Sequence, residues 1–438
     1  MKKQFSSKRD TKSKIIYSIK KPIKIVCRNL SHRLTIFKKL YIAAKLKKRK
    51  KRYEHFAKEP INQKLMIFES FMGRKYADSP KAIYEYMLNR QEYKDYNFIW
   101  FFKERVMDDY LFLEQNDRTK LILWGSPEYY EAYATAKYWF TNSRVPGSIG
   151  IRDGQNYVQC WHGTPLKRLG FDIEVDAKDA RNQAETVKKV YEDDARRYTY
   201  MISPSAYCTE KFTSAFNLKA IGKSDIIVEE GYPRNDEIVN HTEADIESVK
   251  KKLGIAANKK VVLYAPTWRE SQHQDGLGYV YESPIDFDKM KATLGNDYVV
   301  LFRAHYFIAN QFNFDEYKDY VIDVCNYPEI NDLYIVSDIL ITDYSSVFFD
   351  YGLLKRPIIF YMYDLKYYRD ELRGFYISLD ELPGPIVEKQ EDLFEKIKTV
   401  NQWSQKKDMR EKYEAFTNKF TYLDDGHATE RVVKRIVK

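Results

Sequence analysis

The sequence predicts an α/β protein whose two doubly wound domains face each other across a cleft, with a basic amphipathic helical arm in front of them. A chain of 438 residues with 44% hydrophobic residues is too long for one ordinary core and suits two domains. From about residue 60 onward, short apolar runs alternate with helical stretches, which is typical of parallel sheets. We place the arm at residues 1–58 and the domains at 59–236 and 237–438, with the boundary near Pro233–Glu243.

Apolar runs define the strands expected in each domain. In the first domain they are Leu65–Phe68, Phe98–Phe102, Leu121–Leu123, Tyr138–Thr141, Tyr157–Gln159, Tyr200–Ser203 and Ile226–Glu229. In the second domain they are Val261–Tyr264, Val299–Phe302, Val321–Val324, Ile339–Thr342 and Pro357–Phe360. The predicted helices between them are Pro80–Asn89, Asp179–Arg196, Glu243–Leu253, Ile330–Val336 and Ser346–Leu354.

The positive charge of the chain is concentrated in the arm. The whole chain has a net charge of +10, but residues 1–58 hold 21 Lys/Arg and 2 Asp/Glu, so the remainder is acidic with a net charge of −9. Apolar residues recur every three or four positions from Ile15 to Ala44, which predicts one apolar helical face. A basic amphipathic helix of this kind indicates an anionic membrane surface as partner. Packing on the body and binding to nucleic acid are the alternatives, although the acidic body argues against the second.

Cysteine usage and the N-terminus bear on localisation. Cys27, Cys160, Cys208 and Cys325 form no CxxC pair, which favours a reduced compartment over a disulfide framework or a zinc site. No apolar run has the roughly 18–20 residues needed to span a bilayer, and the N-terminus lacks the apolar segment of a signal peptide. We therefore expect a peripheral protein at the cytoplasmic face of the membrane.

Residues suited to chemistry follow the predicted strands, where doubly wound sheets bind ligands. In the first domain, Trp161–Lys167 comes directly after Tyr157–Gln159. Gly163 and Pro165 break regular structure there, so the loop presents an imidazole, a hydroxyl and an ammonium group. A histidine with an ordinary pKa near 6.5 suits a general base. The structural alternative for His162 is a buried ring satisfied by the backbone.

The second domain has three such segments, which are Ala265–Arg269, Arg303–His305 and Thr342–Asp350. Arg303 offers a bidentate fork to phosphate oxygens. Ser345 is expected to cap a helix whose free amides suit an anion, and Asp350, one turn further, is placed to accept a hydrogen bond from a sugar or polyol hydroxyl. Surface salt bridges and plain helix capping are the structural alternatives.

A smaller signal lies at the domain boundary, where Gly231–Asp236 follows a strand and is expected to direct Arg234 into the cleft. Together these segments fit a nucleotide diphosphate donor held between the domains. The chain has no GxxxxGK[ST] and no GxGxxG after a strand, which argues against a P-loop or dinucleotide site. HExxH and paired cysteines are also absent, so we expect no metal and no cofactor.

Six ordered motifs resemble one family. They are WHGTPLKRLGFD, GYPRND, YAPTWRE, RAH, TDYSSVFFDY and DGHATER. Together they resemble the CDP-glycerol glycerophosphotransferase family of teichoic acid synthesis, from about residue 60 to the C-terminus. The resemblance implies two Rossmann-like domains of the glycosyltransferase-B type, with CDP-glycerol bound mainly by the second domain.

The resemblance also implies roles for individual residues. His162 corresponds to the general base that deprotonates the acceptor hydroxyl, and His305 to the histidine that assists the pyrophosphate and the CMP leaving group. The residues that it places against CDP-glycerol are Gly163, Thr164, Pro165, Leu166, Arg234, Pro266, Thr267, Arg303, Ala304, Ser345, Ser346 and Asp350.

The expected reaction is therefore transfer of glycerol phosphate from CDP-glycerol to a lipid-linked wall teichoic acid acceptor, with release of CMP and no nucleic acid involved. A CDP-ribitol donor or a capsule acceptor remains possible on these motifs. A nucleotide-sugar glycosyltransferase on the same fold is a further alternative, as is a basic protein that binds nucleic acid through its arm. The motifs leave product length and oligomeric state open.

Overall fold

Two parallel sheets form the body of the protein, which confirms the predicted fold class. The computed structural model describes residues 35–173, 184–267, 273–274, 278–279, 283–304, 314, 316–317, 319–366 and 374–438. Every strand and helix predicted within these ranges is present, with ends shifted by a few residues.

The first half begins with helix α1 (Thr35–Phe56), part of the predicted arm. Its strands are β1 (Asn62–Glu69), β2 (Asn97–Phe102), β3 (Thr119–Leu123), β4 (Ala136–Thr141), β5 (Asn156–Gln159), β6 (Tyr200–Ser203) and β7 (Ile227–Glu229). Its further α-helices are α2 (Asp78–Leu88), α3 (Pro127–Thr135), α4 (Ala184–Ala195) and α5 (Ala206–Ala215).

The second half contains the strands β8 (Lys260–Ala265), β9 (His273–Gln274), β10 (Gly278–Tyr279), β11 (Tyr298–Phe302), β12 (Val321–Asp323), β13 (Ile339–Thr342), β14 (Ile358–Tyr361) and β15 (Ile386–Val387). Its α-helices are α6 (Asp236–Asn240), α7 (Glu243–Lys252), α8 (Phe287–Leu294), α9 (Ile330–Val336), α10 (Val347–Tyr351), α11 (Gln390–Lys398), α12 (Val400–Trp403), α13 (Lys407–Phe420) and α14 (Ala428–Ile436).

Strand order places a topological switch point in each sheet. The first sheet has the order β3-β2-β1-β4-β5-β6-β7, and the second has the order β12-β11-β8-β13-β14-β15. Neighbouring strands within both sheets are parallel. The order reverses between β1 and β4 in the first sheet and between β8 and β13 in the second, so crevices for ligands are expected beyond the carboxyl ends of these strands.

Aromatic side chains fill one face of the first sheet. Phe68 stacks on Trp100 of the neighbouring strand β2 at 5.4 Å and on Phe140 of β4 at 5.3 Å, both between ring centroids. Offset stacking across adjacent strands adds to the free energy gained by burying the rings. This rigid face fixes the carboxyl ends of β1, β2 and β4, from which the loops of the site emerge.

The C-terminal half of α1 packs on the first sheet's helix α3, whereas most of the described side chains that precede this contact are exposed. Tyr53 is buried, and its hydroxyl donates to the Gly150 carbonyl at 2.6 Å. Nearly every described side chain between residues 40 and 48 is exposed. In the described part of the chain, no helix combines the length and apolar character needed to cross a membrane.

The last helix connects the two halves of the protein. α14 follows the second sheet in the chain but packs against α2 beside the first sheet, and its Val432, Val433 and Ile436 are buried in the same cluster as Phe68. Tyr138 of β4 also donates from its hydroxyl to the carbonyl of Lys438. The C-terminal segment of the chain therefore returns from the second sheet to the first.

Candidate active site between the two sheets

The loop after β5 presents His162 at the carboxyl edge of the first sheet. Trp161 adopts a left-handed backbone conformation, with φ of 54°, which is uncommon for a bulky residue. Its N–H donates to Gln159 Oε1 at 2.9 Å, and its ring stacks on the imidazole with 4.5 Å between centroids. The strained turn and the stacked indole fix the orientation of the imidazole, as is common at functional sites.

A single hydrogen bond determines which nitrogen of His162 carries the proton. Nδ1 lies 3.0 Å from the carbonyl oxygen of Asn142, the residue that follows β4. A carbonyl oxygen only accepts, so Nδ1 must be the protonated nitrogen. The neutral imidazole therefore has its lone pair on Nε2, where it can accept a proton.

The surroundings of His162 keep its ring neutral near pH 7. The His162 side chain is exposed to solvent on one side, while many protein atoms lie around it. This partial desolvation lowers the pKa of His162 below 6.5, with Arg234 contributing, while the bond to Asn142 and the charge of Asp78 oppose the shift. A neutral ring with a free Nε2 is the state that a general base requires.

The residues after His162 anchor its loop to both halves of the protein. The buried Thr164 hydroxyl lies 3.7 Å from the Cys208 sulfur, and the Pro165 carbonyl accepts from the Tyr207 hydroxyl at 2.8 Å. The Leu166 carbonyl accepts from the Tyr376 N–H at 2.9 Å, which ties the loop to the second half of the chain. In this structure these residues hold the loop in place, and their predicted contact with CDP-glycerol stays a prediction.

Two predicted motifs from opposite halves meet at Gly163. A Cβ atom at this position would lie 2.9 Å from Ser346 Oγ, so a larger residue would require the Ser346 hydroxyl to move. Helix α10 begins at Val347 with Ser346 in the N-cap position, and the expectation that Ser345 is the cap was wrong. Ser346 has helical backbone angles and makes no side-chain cap bond, because a capping hydroxyl reaches the helix amides from an extended backbone.

At the switch point of the second sheet, one carboxylate orders two loops. Asp343 Oδ1 accepts from the N–H of Thr267 at 2.8 Å and from the N–H of Tyr344 at 2.6 Å. Pro266 and Thr267 are half-buried beside it. The loops after β8 and β13 are thereby joined. His305 lies outside the described residues, so its predicted role stays a prediction.

Two cations from opposite halves face each other near this edge. The Arg303 guanidinium donates from Nη1 to the carbonyls of Val324 at 2.5 Å and Tyr327 at 2.6 Å, and it forms no ion pair with any described residue. Lys75 Nζ lies 3.5 Å from the Tyr327 carbonyl oxygen. Burial and the charge of Arg303 lower the pKa of Lys75 to about 8, although Glu329 opposes this. Two desolvated cations that repel each other form a favourable site for an anion.

Arg234 and Asp350, which the sequence placed separately in the site, bond to each other. Arg234 Nη2 donates to both carboxylate oxygens of Asp350, at 3.0 and 3.1 Å, and Nη1 lies 3.6 Å from Asp78. Asn235 donates to Asp350 and to Asp424. The guanidinium is buried where the chain passes between the sheets, so it joins both halves, and its predicted contact with substrate stays a prediction.

Comparison with known proteins assigns the chain to a family. Residues 51–438 match the family model of CDP-Glycerol:Poly(glycerophosphate) glycerophosphotransferase. The chain belongs to this family. The family and the enzyme class expected from the motifs are therefore confirmed.

Relatives from several bacteria support this assignment. A teichoic acid poly(glycerol phosphate) polymerase of Bacillus spizizenii is 38% identical over 380 residues, which cover 86% of this chain and 93% of that protein. A polymerase of the same name from Staphylococcus epidermidis is 40% identical over 375 residues, which cover 85% of this chain and 50% of that protein. The chain thus spans about half of one relative and nearly all of the other.

A solved structure shares the fold. The structure of the wall teichoic acid polymerase TagF matches with a TM-score of 0.79 and 37% identity, over 91% of this chain and 96% of that one. A teichoic acid poly(ribitol-phosphate) polymerase of Bacillus spizizenii is more distant, with 30% identity over 393 residues. The glycerol-phosphate enzymes are therefore the nearer of these relatives.

Three residues of the site were missing from the sequence-based prediction. Lys75 lies in the loop after β1, Asp78 is the first residue of α2, which comes next, and Asn142 directly follows β4. These strands flank the switch point of the first sheet. The rule that ligands bind beyond such strands, applied to β1 and β4, would have indicated all three residues.

The buried Arg234 ion pair predicts a large loss of stability when one partner is removed. Replacing Arg234 by methionine should lower the free energy of unfolding by about 3–5 kcal/mol, because Asp350 and Asp78 lose their counter-charge. Adding Asp350→Asn should recover part of this loss. Urea unfolding followed by circular dichroism measures both values, and an Arg234→Met protein as stable as the wild type would contradict the assignment.

Proposed function

We propose that this chain transfers glycerol phosphate from CDP-glycerol to the terminal hydroxyl of a lipid-linked teichoic acid chain and releases CMP. The observation that carries the proposal is the geometry of His162. Its Nδ1–H is engaged by Asn142, so its Nε2 is free beside the contact between Gly163 and Ser346. His162 belongs to the first half of the protein and lies where the two halves meet. It can therefore reach an acceptor hydroxyl while the second half binds the donor.

The reaction exchanges one bond to phosphorus for another. The acceptor hydroxyl oxygen attacks the β-phosphorus of CDP-glycerol, and the bond from this phosphorus to the bridging oxygen breaks, so CMP leaves with that oxygen. His162 Nε2 takes the hydroxyl proton. Lys75 and Arg303 offset the charge of the diphosphate, because phosphoryl transfer depends chiefly on positioning and on neutralising charge.

The relatives favour glycerol over ribitol as the polyol. The glycerol-phosphate polymerases reach 38% and 40% identity, whereas the ribitol-phosphate polymerase has 30% identity. CDP-ribitol and a capsule acceptor remain the alternative substrates, since the motifs expected to contact the CDP half of the donor do not separate these alternatives.

We also propose that α1 holds the protein at the cytoplasmic face of a Gram-positive membrane. Leu40, Ile42 and Leu46 are exposed by 62%, 46% and 46%, and basic residues surround them. Exposed apolar side chains among lysines suit the interface of an anionic bilayer. The lipid-linked acceptor would then be present at a raised local concentration.

Replacing His162 by alanine should lower the rate of transfer roughly 10²- to 10⁴-fold, because the proton acceptor is lost. The donor KM should change little. Purified protein is incubated with CDP-glycerol or CDP-ribitol and a lipid-linked acceptor analogue, and CMP release and product mass are measured. His241 provides a matched control, since its Nδ1 also bonds to a backbone carbonyl, that of Ile238, and His241→Ala should retain activity. A His162→Ala enzyme with wild-type rates would refute the assigned role.

The KM for CDP-glycerol should rise as the pH increases through about 8, because Lys75 loses its proton there. Below this pH the ammonium is charged and binds the diphosphate, and above it the charge is absent. Lys75→Arg should remove the dependence up to about pH 9, since arginine stays protonated. The measurement is the KM for CDP-glycerol of the wild type and of Lys75→Arg as the pH rises through about 8 to about 9. A wild-type KM that does not change with pH would contradict the role of Lys75.

Removing residues 1–46 should abolish flotation with anionic vesicles while leaving transfer to a soluble acceptor intact. The truncated chain keeps the contacts that attach α1 to the body, which include Arg49 over the Trp124 ring and Tyr53 with Gly150. Vesicles of neutral lipid serve as the control, because they lack the charge that attracts the arm. Equal flotation of the full-length and truncated chains would contradict membrane attachment through α1.

A further inference from the structure

Three cations that form no ion pair with a described residue lie together at the carboxyl edge of the first sheet. Arg74 lies in the loop after β1, and Lys103 and Arg105 follow β2. The Lys103 N–H donates to the Gly73 carbonyl at 2.7 Å, which joins the two loops. Burial and the charges of Arg74 and Arg105 lower the pKa of Lys103. None of the three forms an ion pair with a residue in the described ranges, so no such pair offsets their mutual repulsion.

The carboxylates that lie nearby in the chain form no ion pair with these cations among the described residues. Glu104, Asp108 and Asp109 follow β2 as well, and their side chains are exposed. Glu69, at the end of β1, lies close enough to Lys103 for their charges to interact, but burial raises its pKa to about 7. It therefore offsets the cations only in part at neutral pH.

The loop that carries Arg74 is held in a strained conformation. Phe71, Met72 and Gly73 have left-handed φ angles of 50°, 59° and 72°. Such angles cost about 1–2 kcal/mol for each residue with a side chain. Strain of this kind persists where the surrounding structure imposes it, commonly at functional sites.

Asn142 imposes part of this strain and connects the loop to the base. Its Oδ1 accepts from the Phe71 N–H at 2.8 Å, and its main-chain carbonyl accepts from His162 Nδ1. At Gly73 a Cβ atom would lie 3.1 Å from the Phe101 carbonyl and 3.2 Å from the Trp124 ring, so the close approach requires glycine. One residue thus orients both the general base and the basic loop.

The cluster is continuous with the arm through Trp124. Lys103 Nζ lies 5.3 Å from the centroid of the Trp124 ring, and Arg49 of α1 lies 5.9 Å from it. Trp124 follows β3 at the carboxyl edge, whereas Tyr53 bonds to Gly150, which precedes β5 at the amino edge. The exposed residues of α1 that precede Arg49 therefore extend past the carboxyl edge, where the cleft lies.

We propose, on the basis of the transferase function above, that Arg74, Lys103 and Arg105 bind the phosphodiester backbone of the acceptor. A lipid-linked poly(polyol phosphate) carries one negative charge per unit, which suits a row of cations between the arm and the base. The cluster receives the chain where its lipid anchor lies near α1 and delivers the terminal hydroxyl to His162. Lys75 and Arg303 remain for the donor diphosphate.

The test compares the Arg74→Gln, Lys103→Gln, Arg105→Gln triple variant with a control that also loses three charges. The control is Lys251→Gln, Lys252→Gln, Lys398→Gln, which changes exposed lysines at the C-terminal ends of α7 and α11. For the triple variant we expect the KM for a lipid-linked poly(glycerol phosphate) acceptor to rise roughly 10- to 100-fold. The KM for CDP-glycerol and the rate with a single-phosphate soluble acceptor should stay within about twofold.

Direct binding of soluble poly(glycerol phosphate), measured by calorimetry, tests the site without turnover. Binding that weakens in the triple variant but not in the control supports the site, and equal binding by the two overturns it. Loss of flotation on anionic vesicles with polymer binding intact would assign the cluster to lipid headgroups and also overturn it. If the triple variant misfolds, Arg105→Gln alone, at an exposed position, should still raise the polymer KM about threefold, and an unchanged KM refutes the proposal.

The two proposals fail in different ways. A wild-type protein that binds the polymer through this cluster but releases no CMP from CDP-glycerol contradicts the transferase function and supports the binding site. A wild-type protein that transfers glycerol phosphate while its triple variant keeps the polymer KM contradicts the binding site and supports the transferase function.

Discussion

The hydrogen bond between His162 Nδ1 and the Asn142 carbonyl is the interaction on which the proposed chemistry depends. It places the proton on Nδ1 and leaves Nε2 with its lone pair. Partial desolvation by the surrounding protein lowers the pKa of the ring, so the base is neutral without any neighbouring carboxylate having to accept its proton. The main chain directly after β4 thus determines which nitrogen carries the proton in a side chain of the loop after β5.

The same carboxyl edge brings the two halves of the protein together. Gly163 contacts Ser346, the Leu166 carbonyl bonds to Tyr376, and Arg234 is buried against Asp350. These contacts combine a close approach at a glycine, a main-chain bond and a buried ion pair. Lys75 and Arg303 then meet across the junction, and neither forms an ion pair with a described residue, so the pair suits a diphosphate donor.

The sheets could be predicted from the sequence, but several parts of the site could not. Strands such as Phe98–Phe102 are uninterrupted apolar runs, and His162 and Arg303 follow their strands as the doubly wound fold requires. β15 has two residues and gives no periodicity to detect. The left-handed loop at Phe71 and Met72 was missed because neither residue type favours such angles, and hydrogen bonds from their N–H groups to Asn142 and Ser143 impose them.

The most direct test of the account is the protonation state of His162 itself, observed by ¹⁵N NMR of protein labelled at histidine, with His162→Ala used to assign the signal. We predict that near pH 7.5 the ring is neutral with its proton on Nδ1, and that Nε2 has the chemical shift of an unprotonated nitrogen. A ring protonated on Nε2, or a charged imidazolium at this pH, would contradict the claim that His162 is poised as the base.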